Sequence, residues 1–329
     1  MSAELHAVMP VVVFLVGLAV AAVALVKGGP KQPPPLASIN EPFKSIDTSD
    51  LPPLEHYAAR DNAALAYRYY VSRIAPVRGS AVLIHGSSAS SVSMHTLAKA
   101  LAAAGYDVYV PDVRGHGESG RKGTIAYIGQ LEDDLSDFLD VVQPAGPRTL
   151  VGFSAGGGFA LRFASDARQL AFHRYVLLAP FLHHNAPTTP PSVGGWASVG
   201  LPRVMVLVML NKLRITLFNH LPTVAYALSP EAAARLTPQY SYSLMQNFRP
   251  HDNYGADIRA TRQPLEVLVG ANDEAFYAEK FAGVFAEAGR VVPVTIVPGV
   301  THIGLTLEPP AVAAIVAAVS EQAGEIAVS

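Results

Sequence analysis

From about Leu54 onward, short unbroken apolar runs alternate with stretches of helical period. Strands are predicted at residues 64–72 (ALAYRYYVS), 80–84 (SAVLI), 106–110, 149–153, 175–178, 265–269 and 291–297. Helices are predicted at 94–104 (MHTLAKALAAA), at 124–142, in the Ala/Gly/Phe-rich stretch through about Phe163, and at 311–319. Strands and helices alternating at these lengths make a mostly parallel α/β sheet with helices on both faces. Parallel strands buried on both sides read as continuous apolar runs, as these do.

Residues 182–262 interrupt the alternation. They open on His183-His184, pass through APTTPPSVGG and then read as helical, so they are predicted to form a cap inserted between two core parts, 54–181 and 263–325. Within the cap, 204–218 (VMVLVMLNKLRITLF) is apolar but carries Lys212 and Arg214. It reads either as cap core or as a lipid-facing helix at a greasy entrance.

The N-terminal pattern is different. Residues 7–26 (AVMPVVVFLVGLAVAAVALV) hold no charge, the length a helix needs to cross a hydrocarbon core of about 30 Å. Gly17, Ala21 and Ala24 line up as a small-residue face. A cleaved signal peptide competes, because Ala22-Val23-Ala24 has the small-x-small form of a cleavage site, but MSAELH lacks the basic start of a signal. The retained transmembrane anchor is the preferred expectation. Lys27, Lys31 and Lys44 follow the segment and Glu4 precedes it, which places the bulk of the chain in the cytoplasm. Signal cleavage would instead give a secreted or periplasmic protein. Residues 27–53, with Pro33-Pro34-Pro35 and Pro52-Pro53, read as an extended linker.

Composition removes several function classes. With 24 Lys+Arg against 26 Asp+Glu the net charge is −2, which argues against a generally basic nucleic-acid binder. Zero Cys excludes disulfides, thiolate metal sites and a cysteine nucleophile. Hydrophobic residues are 50% and charged ones 15%, which the anchor, a doubly covered sheet and an apolar cap together account for.

The strongest chemical signal is Gly152-Phe153-Ser154-Ala155-Gly156, which follows a strand and opens a helix. In that setting Gly-x-Ser-x-Gly is a sharp turn presenting a nucleophilic hydroxyl. His85-Gly86 directly follows strand 80–84. The loop there supplies one oxyanion-hole N–H and the residue after the nucleophile supplies the other, which names Ser87 and Ala155. His85 itself reads as ordering that loop. The expected order after such an elbow is Ser, acid, His. Among His173, His183, His184, His220, His251 and His302, only His302 follows the last strand. Among Asp166, Asp252, Asp257 and Asp273, the last sits directly after strand 265–269, with Glu274 as the fallback acid. Open α/β sheets place their sites at such strand ends.

These pieces resemble the α/β-hydrolase superfamily, and within it the lysophospholipase, monoacylglycerol lipase and serine-aminopeptidase-like branch. The marks are His85-Gly86, the run Pro111-Asp112-Val113-Arg114-Gly115-His116-Gly117-Glu118-Ser119-Gly120, the elbow at Ser154, Gly270-x-x-Asp273 and Gly299-x-x-His302. The likeness covers about Leu54 to the C-terminus and is faint in the cap. It implies an α/β-hydrolase fold with a helical cap, with Asp112 and His116 as scaffold. It implies a serine hydrolase of carboxylic esters with the triad Ser154, Asp273 and His302, acting on a monoacylglycerol or lysophospholipid. Metal and organic cofactors are not required. The expected partners are a small-molecule lipid ester and, through the anchor, a membrane. A peptidase and an acyltransferase use the same triad. A membrane-tethered binding protein without catalysis is the alternative from another class.

Overall fold

The computed structural model describes residues 2–41, 46–191 and 195–320, with backbone alone for 2–8, 11, 39 and 40. Lys44, the Glu4 side chain, residues 192–194 of the Pro/Gly-rich stretch and residues 321–325 of the predicted core lie outside the described residues. Helices α1 (Ser2–Lys27) and α2 (Ala37–Asn40) come first. Then follow β1 (Leu54–Ala58), β2 (Ala64–Tyr70), β3 (Gly79–Ile84), α3 (His95–Ala103), β4 (Tyr106–Pro111), α4 (Gln130–Val142), β5 (Arg148–Phe153), α5 (Ala155–Ser165) and β6 (Arg174–Leu178). The cap holds β7 (Ala197–Val199), α6 (Leu201–Lys212), β8 (Pro222–Tyr226), α7 (Pro230–Arg235), β9 (Gln239–Ser241), α8 (Tyr242–Asn247) and α9 (Tyr254–Ala260). The core resumes with β10 (Leu265–Gly270), α10 (Phe281–Glu287), β11 (Val294–Val297) and α11 (Pro309–Ser320).

Among the described residues, eight strands form one sheet in the order β1-β2-β4-β3-β5-β6-β10-β11. From β4 to β11 neighbours run parallel, and β2 is antiparallel to both β1 and β4. Every residue of β3, β6 and β10 is buried, so helices cover both faces and leave the strand C-terminal ends as the place where loops gather.

Several boundaries differ from the sequence pattern. The helix predicted at 124–142 begins only at Gln130, because Gly129 at φ +108° lies outside the helical region. The last strand begins at Val294 rather than Val291, which is 90% exposed; Pro293 just before it has no N–H for a ladder. The predicted all-helical cap instead contains an antiparallel sheet, β7-β8-β9. Its middle strand, PTVAY, buries Thr223, Val224 and Ala225. Helix α6 ends at Lys212, inside the apolar run 204–218, because Arg214 takes φ +61°.

The predicted linker is docked rather than free. The Gln32 side chain donates to Tyr226 O at 2.7 Å, and Leu36 N–H donates to Ala227 O at 3.0 Å. The predicted anchor is helical. Along its middle, Val13, Phe14 and Val20 are all more than 60% exposed. Among the described residues, only the end of this helix meets the protein, where Ala21, Ala24, Leu25 and the following Gly28 are half-buried and α1 packs on α6. Of the three small residues, Ala21 and Ala24 are half-buried, while Gly17 has nothing within 4 Å of where a Cβ would stand. Buried Arg203 of α6 donates to the last carbonyls of α1, Leu25 O at 2.8 Å and Val26 O at 3.1 Å, and to Pro222 O at 2.7 Å. Among the described residues, no helix is long and apolar enough to cross a membrane. The segment expected to span therefore stands as a helix fastened to the cap, and spanning is not a feature of the described structure.

Candidate active site

At the end of β5 the chain turns into α5 through Ser154, whose backbone sits at φ +55°, ψ −118°. A non-glycine residue so placed stores about 1–3 kcal/mol of strain and persists only where its surroundings over-determine it. Ser154 N–H donates to Leu178 O at 2.8 Å, and Ser154 O accepts from Gly158 and Phe181 at 3.0 Å each. The flanking glycines leave the room this needs. A Cβ on Gly152 would strike the Gly156 carbonyl, and one on Gly156 would strike the carbonyls of Ile84 and His85.

His302 lies just beyond β11, and its Nε2 is 3.1 Å from Ser154 Oγ. Its Nδ1 is 2.7 Å from Asp273 Oδ2. Both the imidazole and the carboxylate are withdrawn from solvent, with side chains 1% and 0% exposed. The other Asp273 oxygen accepts from the N–H groups of Ala275 and Phe276 at 2.8 Å each, which fixes the carboxylate plane. The network assigns the tautomer: Nδ1–H donates to Asp273, and Nε2 accepts from the Ser154 hydroxyl. Glu274, the fallback acid, accepts instead from the His302 backbone N–H at 3.0 Å. Asn272 stitches the acid loop to the histidine loop, donating from its backbone to Val300 O at 2.9 Å and from its side chain to Gly299 O at 3.2 Å.

The competing candidates are engaged elsewhere. The Arg168 and Arg249 guanidiniums hold Asp166 and Asp252 below the usual carboxylate range. Asp257 accepts from Ser165 Oγ and from the His251 backbone N–H, and also pairs with the His251 ring. His173 accepts from Arg148 N–H, His220 donates to Leu217 O, and the rings of His183 and His184 lie 4.0 Å apart.

Ala155 opens α5, so its N–H has no acceptor within the helix. The Ser87 N–H, in the loop after β3, has no acceptor among the described residues. His85 is fully buried, donates from Nδ1 to Gly86 O at 2.9 Å and accepts at Nε2 from Val113 N–H at 3.1 Å. Burial holds its imidazole below the ordinary pKa, in keeping with an ordering role. Asp112 accepts from Ser91 N–H at 2.6 Å and Glu118 N–H at 3.0 Å, and Arg114 forks onto Asp134 and Asp61. The run from Pro111 to Gly120 is thus a tied loop.

Some side chains at the site are specified by no motif. The rings of Phe153, Phe276 and Trp196 surround the His302 imidazole at 4.9, 5.2 and 5.3 Å. Trp196 comes from the cap, as do Tyr226 and Tyr240, whose rings meet at 4.9 Å. The sequence offers one hint: Trp196 is the chain's only Trp and stands just after a Pro/Gly-rich stretch.

Serine at a strand-to-helix elbow separates this arrangement from other doubly covered sheets and makes the fold that of an α/β hydrolase. The chain belongs to the serine aminopeptidase S33 family, whose profile matches residues 75–309. A monoacylglycerol lipase of Mycolicibacterium smegmatis is 34% identical over 120 residues, 34% of this chain and 41% of that protein. The chain therefore spans well under two thirds of the length of the relative it matches. Among solved structures, a monoacylglycerol lipase of Paleococcus ferrophilus superposes with a TM-score of 0.58 at 21% identity, covering 79% of this chain and 98% of the other. A soluble variant of the Saccharomyces cerevisiae monoglyceride lipase gives 0.57 at 18%, covering 85% and 98%. A putative aryl esterase of Burkholderia cenocepacia gives 0.59 at 18%, covering 83% and 100%. At these identities the likeness to solved structures is one of fold.

Proposed function

We propose that the protein hydrolyses carboxylic esters, and single-chain lipid esters such as monoacylglycerols or lysophospholipids in particular, through an acyl-enzyme on Ser154. The observation that carries this reading is the single imidazole of His302, hydrogen-bonded to Ser154 Oγ on one side and Asp273 on the other. Ser154 Oγ attacks the ester carbonyl carbon while His302 Nε2 takes its proton. The carbonyl oxygen becomes an oxyanion held by the N–H groups of Ser87 and Ala155. The tetrahedral intermediate collapses, the C–O bond to the alcohol breaks, and His302 returns the proton to the leaving alcohol. Water, deprotonated by His302, then attacks the acyl-enzyme carbonyl, the bond to Ser154 Oγ breaks, His302 returns the proton to Oγ, and the acid leaves. Asp273 holds the ring and stabilises its charged form.

Three observations support the lipid ester as substrate: the M. smegmatis relative bears the name monoacylglycerol lipase, aromatic rings line the catalytic imidazole, and α6 of the cap exposes Met205 and Met209. The same reading attaches the chain to a membrane through α1, with its catalytic part on the cytoplasmic side. Residues 7–26 carry no charge, Lys27 and Lys31 follow them, and no Asp or Glu occurs between Leu182 and Pro230 in the adjoining cap.

The test is a substrate panel on the purified full chain: short p-nitrophenyl esters, monoacylglycerols, lysophospholipids and peptide amides. Fastest turnover of a single-chain lipid ester is expected. Preference for amides would move the assignment to a peptidase, and no turnover of any would favour a binding protein. Flotation with anionic vesicles tests the membrane reading. Phe14→Asp with Val20→Asp should abolish co-flotation, and unchanged flotation would refute attachment through α1.

A further inference from the structure

The oxyanion loop is pinned from two sides, and only one of them belongs to the core. Ser87 stands between two peptide planes. The first, Gly86–Ser87, presents the Ser87 N–H, and its carbonyl accepts from His85 Nδ1–H at 2.9 Å. In a trans peptide the carbonyl and the N–H point opposite ways, so fixing one aims the other. The second plane, Ser87–Ser88, is held by the cap. Ser88 N–H donates to the Tyr240 hydroxyl at 2.6 Å.

The Tyr240 hydroxyl has little freedom. His116 donates from Nδ1 to Val113 O at 3.2 Å, which leaves its Nε2 as an acceptor 2.5 Å from the Tyr240 oxygen. Tyr240 O–H therefore donates to His116, and its lone pairs face Ser88 N–H. His116 and Tyr240 are both buried, so water does not replace these bonds. Burial also keeps His116 neutral, holding its pKa well below the ordinary value. The Tyr226 hydroxyl completes the cluster beside Tyr240 and Ser87.

A second tie comes from the same cap segment. Ser88 occupies φ +65°, a conformation that favours glycine. It is held there by Thr237, whose N–H donates to Ser88 O at 2.9 Å and whose carbonyl accepts from Ser88 Oγ at 2.5 Å. The residue directly after Ser87 is thus held in a left-handed conformation by the cap.

We propose that Tyr240 is a positioning residue for the reaction: from the cap it locks the Ser87–Ser88 peptide so that the Ser87 N–H stays aimed at the developing oxyanion. The cap strand β9 is then part of the catalytic apparatus and not only a cover. This inference rests on the ester-hydrolase reading above.

The test compares wild type with Tyr240→Phe in the full chain, with active sites counted by fluorophosphonate titration. On a short p-nitrophenyl ester, kcat per titrated site should fall about 10–100-fold with KM little changed, less than the loss from removing an oxyanion donor outright. A trifluoromethyl ketone, whose adduct with Ser154 places an oxyanion in the hole, should weaken by the same factor. Tyr226→Phe should move both readouts in the same direction by a smaller factor, and decides the matter if Tyr240→Phe does not fold. Wild-type kcat per site and wild-type ketone affinity in the folded variants would overturn the proposal while leaving the hydrolase reading intact. A wild-type chain that neither labels nor turns over would overturn the hydrolase reading instead.

Discussion

The two walls of the site are built by different means. On the core side, Ser154, Asp273 and His302 each stand just past the end of a strand that the sheet holds in register, and the Ser87 loop follows another. A parallel sheet buried on both faces permits little play, so residues far apart in sequence converge to hydrogen-bond distance. On the cap side, Tyr226 and Tyr240 come from a small antiparallel sheet and Trp196 from the residue just before it, while the docked N-terminal segment is held by Tyr226 and Ala227 at the end of β8 and by Arg203 of α6. The core wall supplies the hydrogen-bonded Ser154, His302 and Asp273, which the proposed mechanism uses to move protons and charge. The cap wall supplies the Trp196 ring against the imidazole and the Tyr240 hydroxyl that accepts from the Ser88 N–H, and the contrast teaches that the groups in the patterned loops and the groups packed on them come from different parts of the chain.

The sharpest way to break that contrast is on the core side. Ser154→Ala or His302→Ala should cut kcat by about 10⁴–10⁶-fold in protein that still folds, since each removes a member of a unit. Residual turnover near wild type in either would remove the core wall from the chemistry. Next in size, Asp273→Asn should cost about 10⁴-fold through the wrong tautomer. Glu274→Gln, which touches only the His302 backbone, should cost about tenfold. Equal losses would mean that the two acids share the role. On the cap side, Trp196→Ala should raise KM for a long-chain ester about tenfold and leave kcat on a short ester nearly unchanged. A collapse of kcat on both would mean that the Trp196 ring positions the imidazole and does not only contact the acyl chain.

The smallest expected effect lies at the seam. His85 and His116 are buried and neutral, their pKa values pushed down by burial. Below about pH 6.5 the unfolded chain binds protons at these imidazoles that the folded chain does not. Stability is thus fully present above that pH and is lost as pH falls. Thermal midpoints should drop by a few degrees between pH 7 and pH 5. A flat profile would mean that the seam opens to admit the protons.

The core wall was legible because its residues sit in patterns with mechanical causes: a turn only glycines permit around Ser154, and loops directly after apolar runs for Asp273, His302 and Ser87. Asp273 and Glu274 were separable only in space, since adjacent carboxylates share every sequence property and differ in whether they meet the ring or the backbone. The cap was poorly legible for a different reason. PTVAY is too short for period two to stand out beside an apolar helix, so the three-stranded sheet was missed. The linker read as extended because Pro-rich chain makes few internal bonds; its partners, Tyr226 and Ala227, lie almost 200 residues away. Nothing in the spacing of Tyr240 announces the Ser88 N–H it accepts from.

The most direct measurement is covalent labelling of the full chain with a fluorophosphonate, followed by peptide mass mapping. A single adduct on Ser154 is expected, at a rate that falls by orders of magnitude in His302→Ala. An unlabelled protein, an adduct on another serine, or labelling unaffected by His302→Ala would contradict the assignment of Ser154, His302 and Asp273 as one catalytic unit.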